Sequence, residues 1–431
     1  MKKAIVVILA IILLAMPMIG CNNDSSNQSS TPPASGGTSS GGTSSGGTSS
    51  GGTSSPPPAG STDTGTEAGS EAGLPTGVPT LSPDAAQRAA DAYAFIADLR
   101  ARASQYDPNR AQYRYTLNCQ DPAESGAGEF CYAWSDAVLI ATEGAVYIEV
   151  GVSNAFCAGG TMEALNDTKA GLIDFCWTLP CYYRGYMPLT LVIQNPGLRI
   201  QNSTVGAFSM WELYKNTPAL QQEIAQHGEC MFLYTNNPSP LSYKGNSELT
   251  STSQITGNVR GNNGPTQMFI TEVGATVFGC PIGDVYPNVS NGVIDYLITD
   301  WHAIASFRLA DPGVLNYYLD VNIGCSAHVL IGNSDTWAAI VRNGYGDAIK
   351  SVSGDFCLNL IGIWEAYEAR GRADAINNGG TIYPPNASLS ADIQTAFDNV
   401  VNQWISENGP QAQALYDNCL QIVNRYNDMY K

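Results

Sequence analysis

A short segment occurs twice in this chain. Residues 171–178 read GLIDFCWT and residues 292–299 read GVIDYLIT, so a glycine, an Ile-Asp pair, an aromatic residue and a threonine recur at matched spacing. In each copy the glycine follows a stretch with helical spacing, and the apolar run after it has the composition of a strand. A helix, a left-handed glycine stop and a strand therefore form one unit that is built twice. This duplication favours two lobes of equivalent construction.

The first copy lies within a series of alternating helices and strands. The predicted elements are, in chain order, a helix over 85–104, a strand over 114–118, a helix from Ser125, a strand over 145–152, a helix ended by Gly171 and a strand over 172–178. This alternation predicts an α/β fold with a mainly parallel sheet. In such sheets ligands bind beyond the carboxyl ends of the strands, where Asn118 and Trp177 are expected to lie.

The second copy has its own start and stop signals. Asp284 is placed to cap a helix over 285–291, Gly292 ends that helix, and VIDYLIT follows as a strand. The pair Thr299-Asp300 is then expected to cap a further helix that begins around Trp301. The two lobes would face each other across a cleft, and the long helices predicted after residue 335 would brace both of them.

Composition limits the possible functions. The chain has 431 residues, of which 44% are hydrophobic and 13% charged, enough for a sizeable core in two domains. Its formal net charge of -18 argues against nucleic acid or an anionic membrane surface as a partner. The three histidines, His227, His302 and His328, are too few and too scattered to suggest a metal cluster. No nucleophile–base pair at usable spacing supports an enzyme, and no cofactor is expected.

The N-terminal segment predicts export and lipid anchoring. Lys2 and Lys3 precede a short apolar run over residues 4–16, and Met-Ile-Gly-Cys21 resembles the bacterial lipobox, whose cysteine is diacylated. The alternative is a plain secretory signal over residues 1–21 with a chance cysteine. Residues 22–84 are rich in Gly, Ser, Thr and Pro and are predicted to be a disordered tether. We therefore expect an extracytoplasmic, lipid-anchored protein whose membrane contact is the anchor alone.

The other ten cysteines leave two interpretations open. An even number in an exported protein permits up to five disulfides, although no CxxC pair or zinc-type spacing occurs. Several of these cysteines lie in apolar runs, where free thiols pack as small hydrophobic side chains. The sequence does not choose between disulfides and buried thiols.

Residues 257–295 carry the most specific pattern. Gly257, Arg260, Gly274-Ala275, Asp284-Val285-Tyr286 and Gly292-Val-Ile-Asp295 together resemble the solute receptors of tripartite ATP-independent periplasmic (TRAP) transporters, the DctP type. The segments over 159–183 and 299–309 are also similar to that family, and the resemblance covers roughly residues 110–425. It implies a two-lobed fold like that of periplasmic binding proteins over residues 85–431, with a ligand cleft between the lobes. The first lobe would comprise about 85–235 plus C-terminal segments, and the second about 236–330 plus part of the later helices.

The resemblance also implies a binding site without catalytic residues or metal. Arg260 matches an arginine that forks onto the ligand carboxylate, which suits a planar guanidinium that stays charged when desolvated. The other residues expected to bind the substrate are Asn118, Asn263, Trp177, Tyr182 and Trp301. The two asparagines could instead be ordinary turn residues, and the two tryptophans could instead be core residues.

These observations predict a binding protein rather than an enzyme. It would capture a carboxylate-bearing organic solute and deliver it to TRAP-type membrane subunits. An orphan ligand sensor that feeds a signalling partner is the alternative. The sequence identifies neither the solute nor the oligomeric state.

Overall fold

The computed structural model describes residues 73–183, 185–236 and 238–430. The predicted signal segment, Cys21 and most of the predicted tether therefore lie outside the described residues. The described part of the chain belongs to one compact unit, Glu71–Lys431. None of its helices combines the length and the apolar composition needed to cross a bilayer.

The described part contains thirteen α-helices and eleven β-strands. The helices are α1 Ala85–Ala103, α2 Gly126–Ala141, α3 Ala164–Lys169, α4 Ser203–Asn216, α5 Pro218–Ala225, α6 Pro265–Glu272, α7 Val285–Ser290, α8 Trp301–Ser306, α9 Ser334–Arg342, α10 Gly346–Ser351, α11 Gly362–Asn377, α12 Ala387–Glu407 and α13 Gln411–Met429. The strands are β1 Tyr113–Cys119, β2 Val146–Gly151, β3 Phe175–Thr178, β4 Glu229–Thr235, β5 Leu241–Tyr243, β6 Asn258–Arg260, β7 Thr276–Phe278, β8 Tyr296–Ile298, β9 Tyr317–Leu319, β10 Ala327–Gly332 and β11 Thr381–Tyr383.

The strands form two sheets, one for each lobe. The first has the order β2-β1-β3-β10-β4 and the second the order β11-β9-β5-β8-β6-β7. In the first sheet β1 runs parallel to β2 and β3, but β10 runs antiparallel to both β3 and β4. The second sheet is also mixed, because β5 runs antiparallel to both of its neighbours. The prediction of a mainly parallel sheet was wrong in this respect, since β10 pairs with strands far away in sequence and local periodicity does not reveal such pairing.

The repeated unit has the same structural role in both lobes. Asp174 accepts a hydrogen bond from the backbone N–H of Thr116 at 2.9 Å, which ties the turn before β3 to β1. Asp295 accepts one from the backbone N–H of Asn258 at 2.7 Å and ties the turn before β8 to β6. The two copies thus fix equivalent pairs of parallel strands.

Helix caps follow the sequence signals with one exception. The side chains of Asp84, Ser125 and Asp300 each accept a backbone hydrogen bond at the start of a helix, and the cap at Asp300 was predicted. Asp284 stands at the start of α7 but has a helical backbone conformation, and its side chain makes no capping bond. That predicted cap is wrong, because the turn before α7 is already helical and does not present the aspartate in the extended conformation that a cap needs.

Late helices connect the two hydrophobic cores. Leu389 and Phe397 of α12 pack in the core of the second lobe, whereas Trp404 at the end of the same helix packs in the core of the first. Helix α11 likewise contributes Trp364 to the first core and Ala375 to a core cluster beside the second sheet. The predicted two-lobed α/β fold with bracing C-terminal helices is confirmed.

All ten cysteines in the described part are free thiols. Nine are buried and Cys280 is half-buried. Burial raises the pKa of Cys176, Cys181 and Cys325 to about 12, so these thiols stay protonated and unreactive. In the structure they serve as small apolar side chains of the core, the second of the two interpretations left open by the sequence.

Candidate functional site

An interior cavity of about 30 Å³ lies where the two sheets face each other. Its lining comes from the carboxyl ends of β1, β3, β6 and β8, from β10 and from the segments that connect the two sheets. The lining residues are Gln120, Asp121, Trp177, Leu179, Tyr182, Asn236, Arg260, Asn262, Ile282, Thr299, Asp300, His302, Ala303, Phe307, Ser326 and His328. The position agrees with the general rule for ligand sites in open α/β sheets.

The cavity lies against the two connections between the sheets. Thr235 donates its hydroxyl to the carbonyl of Ser326 at 2.7 Å, and the Asn236 side chain accepts from the Ser326 backbone N–H at 3.2 Å. These bonds pair the connection that follows β4 with the one that precedes β10. Asn236 and Ser326 also line the cavity, so the cavity is in direct contact with both connections.

Arg260 is the cation of this cavity. It ends β6, it is 2% exposed, and among the described residues its guanidinium makes two long hydrogen bonds, both of 3.4 Å, to the carbonyl of Cys280. No carboxylate among the described residues forms an ion pair with it. Removing a charge from water costs several kcal/mol unless a partner compensates. The guanidinium is therefore available for an anion that enters the cavity.

A second, larger cavity of about 350 Å³, here called the outer cavity, adjoins the first, or inner, cavity at Arg260. The two cavities share Tyr182, Arg260 and Asn262. The inner space holds about one water molecule, whereas ligand pockets usually measure roughly 300–1,000 Å³. A solute anchored on Arg260 would thus extend into the outer cavity, or would need the lobes to move apart.

Two aromatic residues from the sequence analysis line the cavity. Trp177 donates its indole N–H to the hydroxyl of Tyr234 at 2.8 Å and packs its ring against His328. Tyr182 lines both the inner and the outer cavity. Burial raises the pKa of Tyr182 to about 12, although Arg260 nearby acts in the opposite direction. Both rings therefore offer neutral, rigid walls next to the guanidinium.

The two predicted asparagines differ in their position relative to the cavities. Asn263 lines the outer cavity and donates to the carbonyl of Cys181 at 2.7 Å. Asn118 is fully buried. Its side-chain amide donates a hydrogen bond to the side chain of Asn154 and accepts one from the backbone N–H of Phe156, both at 3.2 Å. It lines neither cavity, and its bonds hold the loop after β2. Asn118 lies within β1 rather than in a turn, and its contact with a ligand stays a prediction.

Trp301 does not line the cavity. It is 0% exposed, it packs against Tyr318 in the core of the second lobe, and the guanidinium of Arg372 lies over its ring at 4.6 Å. Gly371 of α11 packs against its backbone so closely that a Cβ there would come within 2.3 Å of the Trp301 carbonyl. The neighbouring Thr299 and Asp300 do line the cavity. The chain thus turns at Asp300 and sends the tryptophan into the core.

Four ionisable residues of the cavity were not singled out as ligand contacts in the sequence. Asp121 follows β1, Asp300 and His302 start α8, and His328 lies in β10. Asp121 could have been found by extending the strand-end rule three residues past the predicted strand. His302 in α8 and His328 in β10 lie far apart in the sequence, and both line the cavity. No group of three or more metal-ligating side chains forms a candidate metal site in the described part of the chain.

Burial perturbs these groups strongly. It raises the pKa of Asp121 to about 6 and lowers the pKa of His328 to about 3, so His328 is neutral under ordinary conditions. Burial would also raise the pKa of Asp300, but the hydrogen bond from His302 lowers it below its ordinary value. His302 accepts from the backbone N–H of Gly126 at its Nε2, which places the proton of the neutral ring on Nδ1, facing Asp300.

Direct hydrogen bonds join the lobes on both sides of the cavity. The bond from Gly126 to His302 measures 3.0 Å and connects α2 of the first lobe with α8. The bond from Asn263 to Cys181 connects the start of α6 in the second lobe with the turn after β3. The cleft is thus closed in this structure.

Residues 117–408 match the family described as bacterial extracellular solute-binding protein, family 7, or DctP. A curated relative, the outer membrane transporter protein TsaT of Comamonas testosteroni, is 21% identical over 301 residues, which cover 66% of this chain and 84% of that protein. The family match spans every residue that lines the two cavities.

Solved structures show the same fold. A TRAP solute-binding protein from a marine metagenome, specific for aromatic acid ligands, superposes with a TM-score of 0.67 at 18% identity. A TRAP solute-binding protein from Rhodoferax ferrireducens, in complex with benzoate, gives a TM-score of 0.66 at 18% identity. The comparisons cover 73% and 74% of this chain and 99% of each of the others. The resemblance to TRAP receptors is confirmed: this chain belongs to the bacterial extracellular solute-binding proteins of family 7, which are transport receptors rather than enzymes.

Proposed function

We propose that this protein is the receptor of a TRAP-type transporter, that it binds an organic acid through Arg260 and that it delivers the acid to the membrane subunits. The observation that carries the proposal is the buried guanidinium of Arg260, which faces a cavity between two lobes without an acidic partner among the described residues. Of the two similar solved structures, one is of a protein specific for aromatic acid ligands and the other is of a protein in complex with benzoate.

Binding would combine one charged contact with aromatic walls. Arg260 presents a planar fork that matches a carboxylate in two parallel bonds. Trp177 and Tyr182 supply flat apolar surface beside it, and Asn262 and Asn263 supply amides at the inner and outer cavity. These residues come from both lobes, so a ligand that contacts all of them stabilises the closed arrangement.

Delivery requires that the cleft opens and closes. The bonds from Gly126 to His302 and from Asn263 to Cys181 would break on opening, with Asn236 and Ser326 near the pivot. The proposed lobes comprise about 85–235 and about 236–330, with the later helices shared. The first boundary lies at Asn236, in the connection between β4 and β5. The boundary at about 330 falls within β10, which pairs in the first sheet, so we place the second pivot at Ser326 in the connection between β9 and β10. Hinge closure around a ligand is the usual motion of two-lobed binding proteins.

A screen of organic acids by thermal shift tests the proposal. Each acid should be paired with its primary amide, for example benzoate with benzamide, because the amide keeps the size and loses the charge. A ligand at 100 times its dissociation constant adds about 2.7 kcal/mol to the free energy of unfolding. We expect at least one acid to stabilise the protein and its amide to have little effect. Stabilisation by none of the acids, or equally by the amides, would count against the proposal.

The proposal includes a lipid anchor at Cys21, which lies outside the described residues. Two acyl chains give stable membrane attachment where one chain does not. Replacing Cys21 with serine should therefore move the exported protein from the membrane fraction to the soluble fraction. Cys280→Ser, which alters a thiol far from the signal segment, serves as the control. Continued sedimentation of the Cys21→Ser protein with membranes would show that the anchor is something else.

A further inference from the structure

Four buried polar atoms at the inner cavity have no hydrogen-bond partner. They are Oε1 of Gln120, Oδ1 of Asp121, Nδ2 of Asn236 and Nδ1 of His328. Buried polar groups are nearly always paired, and an unpaired one costs roughly 1–3 kcal/mol. Their concentration at one cavity indicates that a polar ligand completes their bonds.

Of these four atoms, Oδ1 of Asp121 costs the most free energy to leave unpaired, because it belongs to a carboxyl group that is only 3% exposed. A hydrogen bond from Gln120 and the proximity of His302 favour its charged form, whereas burial and the nearby Asp300 oppose it. The other titratable or charged residues of the cavity lining are Tyr182, Arg260 and His328. Among the described residues, no cationic side chain forms an ion pair with Asp121.

The cavity therefore has a cationic end and an acidic end. Tyr182 is in electrostatic reach of both, since Arg260 lowers and Asp121 raises the pKa of its hydroxyl. A plain carboxylic acid would satisfy Arg260. Among the described residues that line the cavity, one guanidinium would then face three carboxylates, those of the ligand, Asp121 and Asp300. A plain acid would also leave Oδ1 of Asp121 without a donor. A ligand that carries a hydrogen-bond donor near its carboxylate removes both costs.

We propose, on the basis of the function proposed above, that the solute carries a hydroxyl or ammonium group near its carboxylate and that Asp121 accepts a hydrogen bond from this group. Asp121 is then the residue that selects substituted acids over plain ones. Sites built to bond a buried polar group discriminate strongly against analogues that lack it. A hydrogen bond to a charged group contributes roughly 1.5–3 kcal/mol, so the preference should be about 10- to 150-fold in affinity.

Two matched series separate this proposal from the more general one. Phenylacetate, mandelate and phenylglycine differ only by hydrogen, hydroxyl or ammonium at one carbon, and so do propionate, lactate and alanine. Calorimetric titration of wild type should show the hydroxyl or the ammonium member of a series binding about 10- to 150-fold tighter than the plain acid. Which of the two members binds tighter identifies the donor.

Asp121→Asn is the informative variant, because it keeps the shape of the side chain and removes its charge. We expect the preference for the substituted acid to fall to within about threefold in this variant. Asp428→Asn makes the same change of charge at an exposed position of α13, outside the cavity, and should leave the preference unaltered. Equal binding of plain and substituted acids by wild type, or an unchanged preference in Asp121→Asn, would overturn the proposal.

The pH dependence of wild type gives a second test that needs no variant. Burial places the pKa of Asp121 at about 6, so the carboxylate that accepts the bond forms as the pH rises through that value. The affinity for the substituted acid should therefore increase between pH 5 and pH 7, by up to about tenfold per pH unit below the pKa. A fall in affinity over this range would mean that Asp121 donates a proton to the ligand, and would contradict the proposal.

The outcomes also distinguish this proposal from the function on which it rests. Binding of the plain acids as tightly as the substituted ones, with loss of binding in Arg260→Ala, would overturn the role of Asp121 and leave the receptor function intact. Absence of binding by all six compounds would overturn the role of Asp121. Absence of any hit in the wider acid screen as well would overturn the receptor function.

Discussion

Replacing Arg260 with alanine is expected to lower the affinity for the acid ligand by roughly 30- to 4,000-fold. Truncating one partner of a buried, hydrogen-bonded charge pair costs about 2–5 kcal/mol, because the other charge remains desolvated without a partner. Lysine should restore binding only in part, since a point charge does not reproduce the two parallel bonds of a guanidinium. Calorimetric titration of the three proteins with the best acid from the screen measures the effect.

Arg342→Ala is the matched control for this experiment. Arg342 is an exposed residue in the last turn of α9, and its loss removes the same charge without touching the cavity. We expect its affinity to equal that of wild type. An Arg260→Ala protein that is folded and binds within about threefold of wild type would show that Arg260 does not anchor the ligand, since tenfold corresponds to 1.4 kcal/mol.

Glu365→Gln is expected to lower the free energy of unfolding by about 3–5 kcal/mol, the typical cost of breaking a buried ion pair. Glu365 receives two bonds from Arg88, of 2.7 and 2.9 Å, and both side chains are almost fully buried. It also accepts from the hydroxyl of Thr204 at 2.6 Å. The carboxylate thus joins α1, α4 and α11, and an uncharged amide would leave the guanidinium of Arg88 buried without a counter-charge.

Denaturant unfolding at neutral pH measures this loss. Glu149→Gln is the control, because Glu149 pairs with Arg114 at the surface, where both side chains are about half exposed. Exposed pairs contribute about 0–1 kcal/mol, so this variant should unfold almost like wild type. If both variants lost the same small amount, Glu365 would have no special part in holding the three helices together.

Local signals in the sequence predicted much of the fold. The caps at Asp84, Ser125 and Asp300 depend on the residues immediately around them, and each is present in the structure. The duplicated unit was also recognisable, because Asp174 and Asp295 tie equivalent strands in the two lobes. These features are short-range, and spacing along the chain is enough to reveal them.

The direction in which a side chain points at a strand end was not predictable in the same way. Trp177 and Trp301 both follow or end a strand of the repeat, yet one lines the cavity and the other lies in the core. For Trp301 the deciding neighbours are Tyr318 and α11, which come much later in the chain. Asn118 lies in β1, but its side chain bonds the loop after β2, and no local sequence pattern indicates these bonds.

The acidic end of the cavity escaped the sequence analysis for a related reason. Asp121 stands in a polar turn, where aspartate is common, and only its burial next to Asp300 and His302 sets it apart. That burial depends on closure of one lobe on the other. The cation of the site, in contrast, was found from a motif around Arg260, whose position at the end of β6 is fixed within its own lobe.

A crystal structure of the protein with the tightest-binding acid tests the central claim most directly. We expect the ligand carboxylate to bind the guanidinium of Arg260 through two hydrogen bonds, with nitrogen–oxygen distances of about 2.7–2.9 Å. The rest of the ligand should lie between Trp177 and Tyr182. A ligand bound elsewhere, or one bound in this cavity with its carboxylate turned away from Arg260, would contradict the central claim.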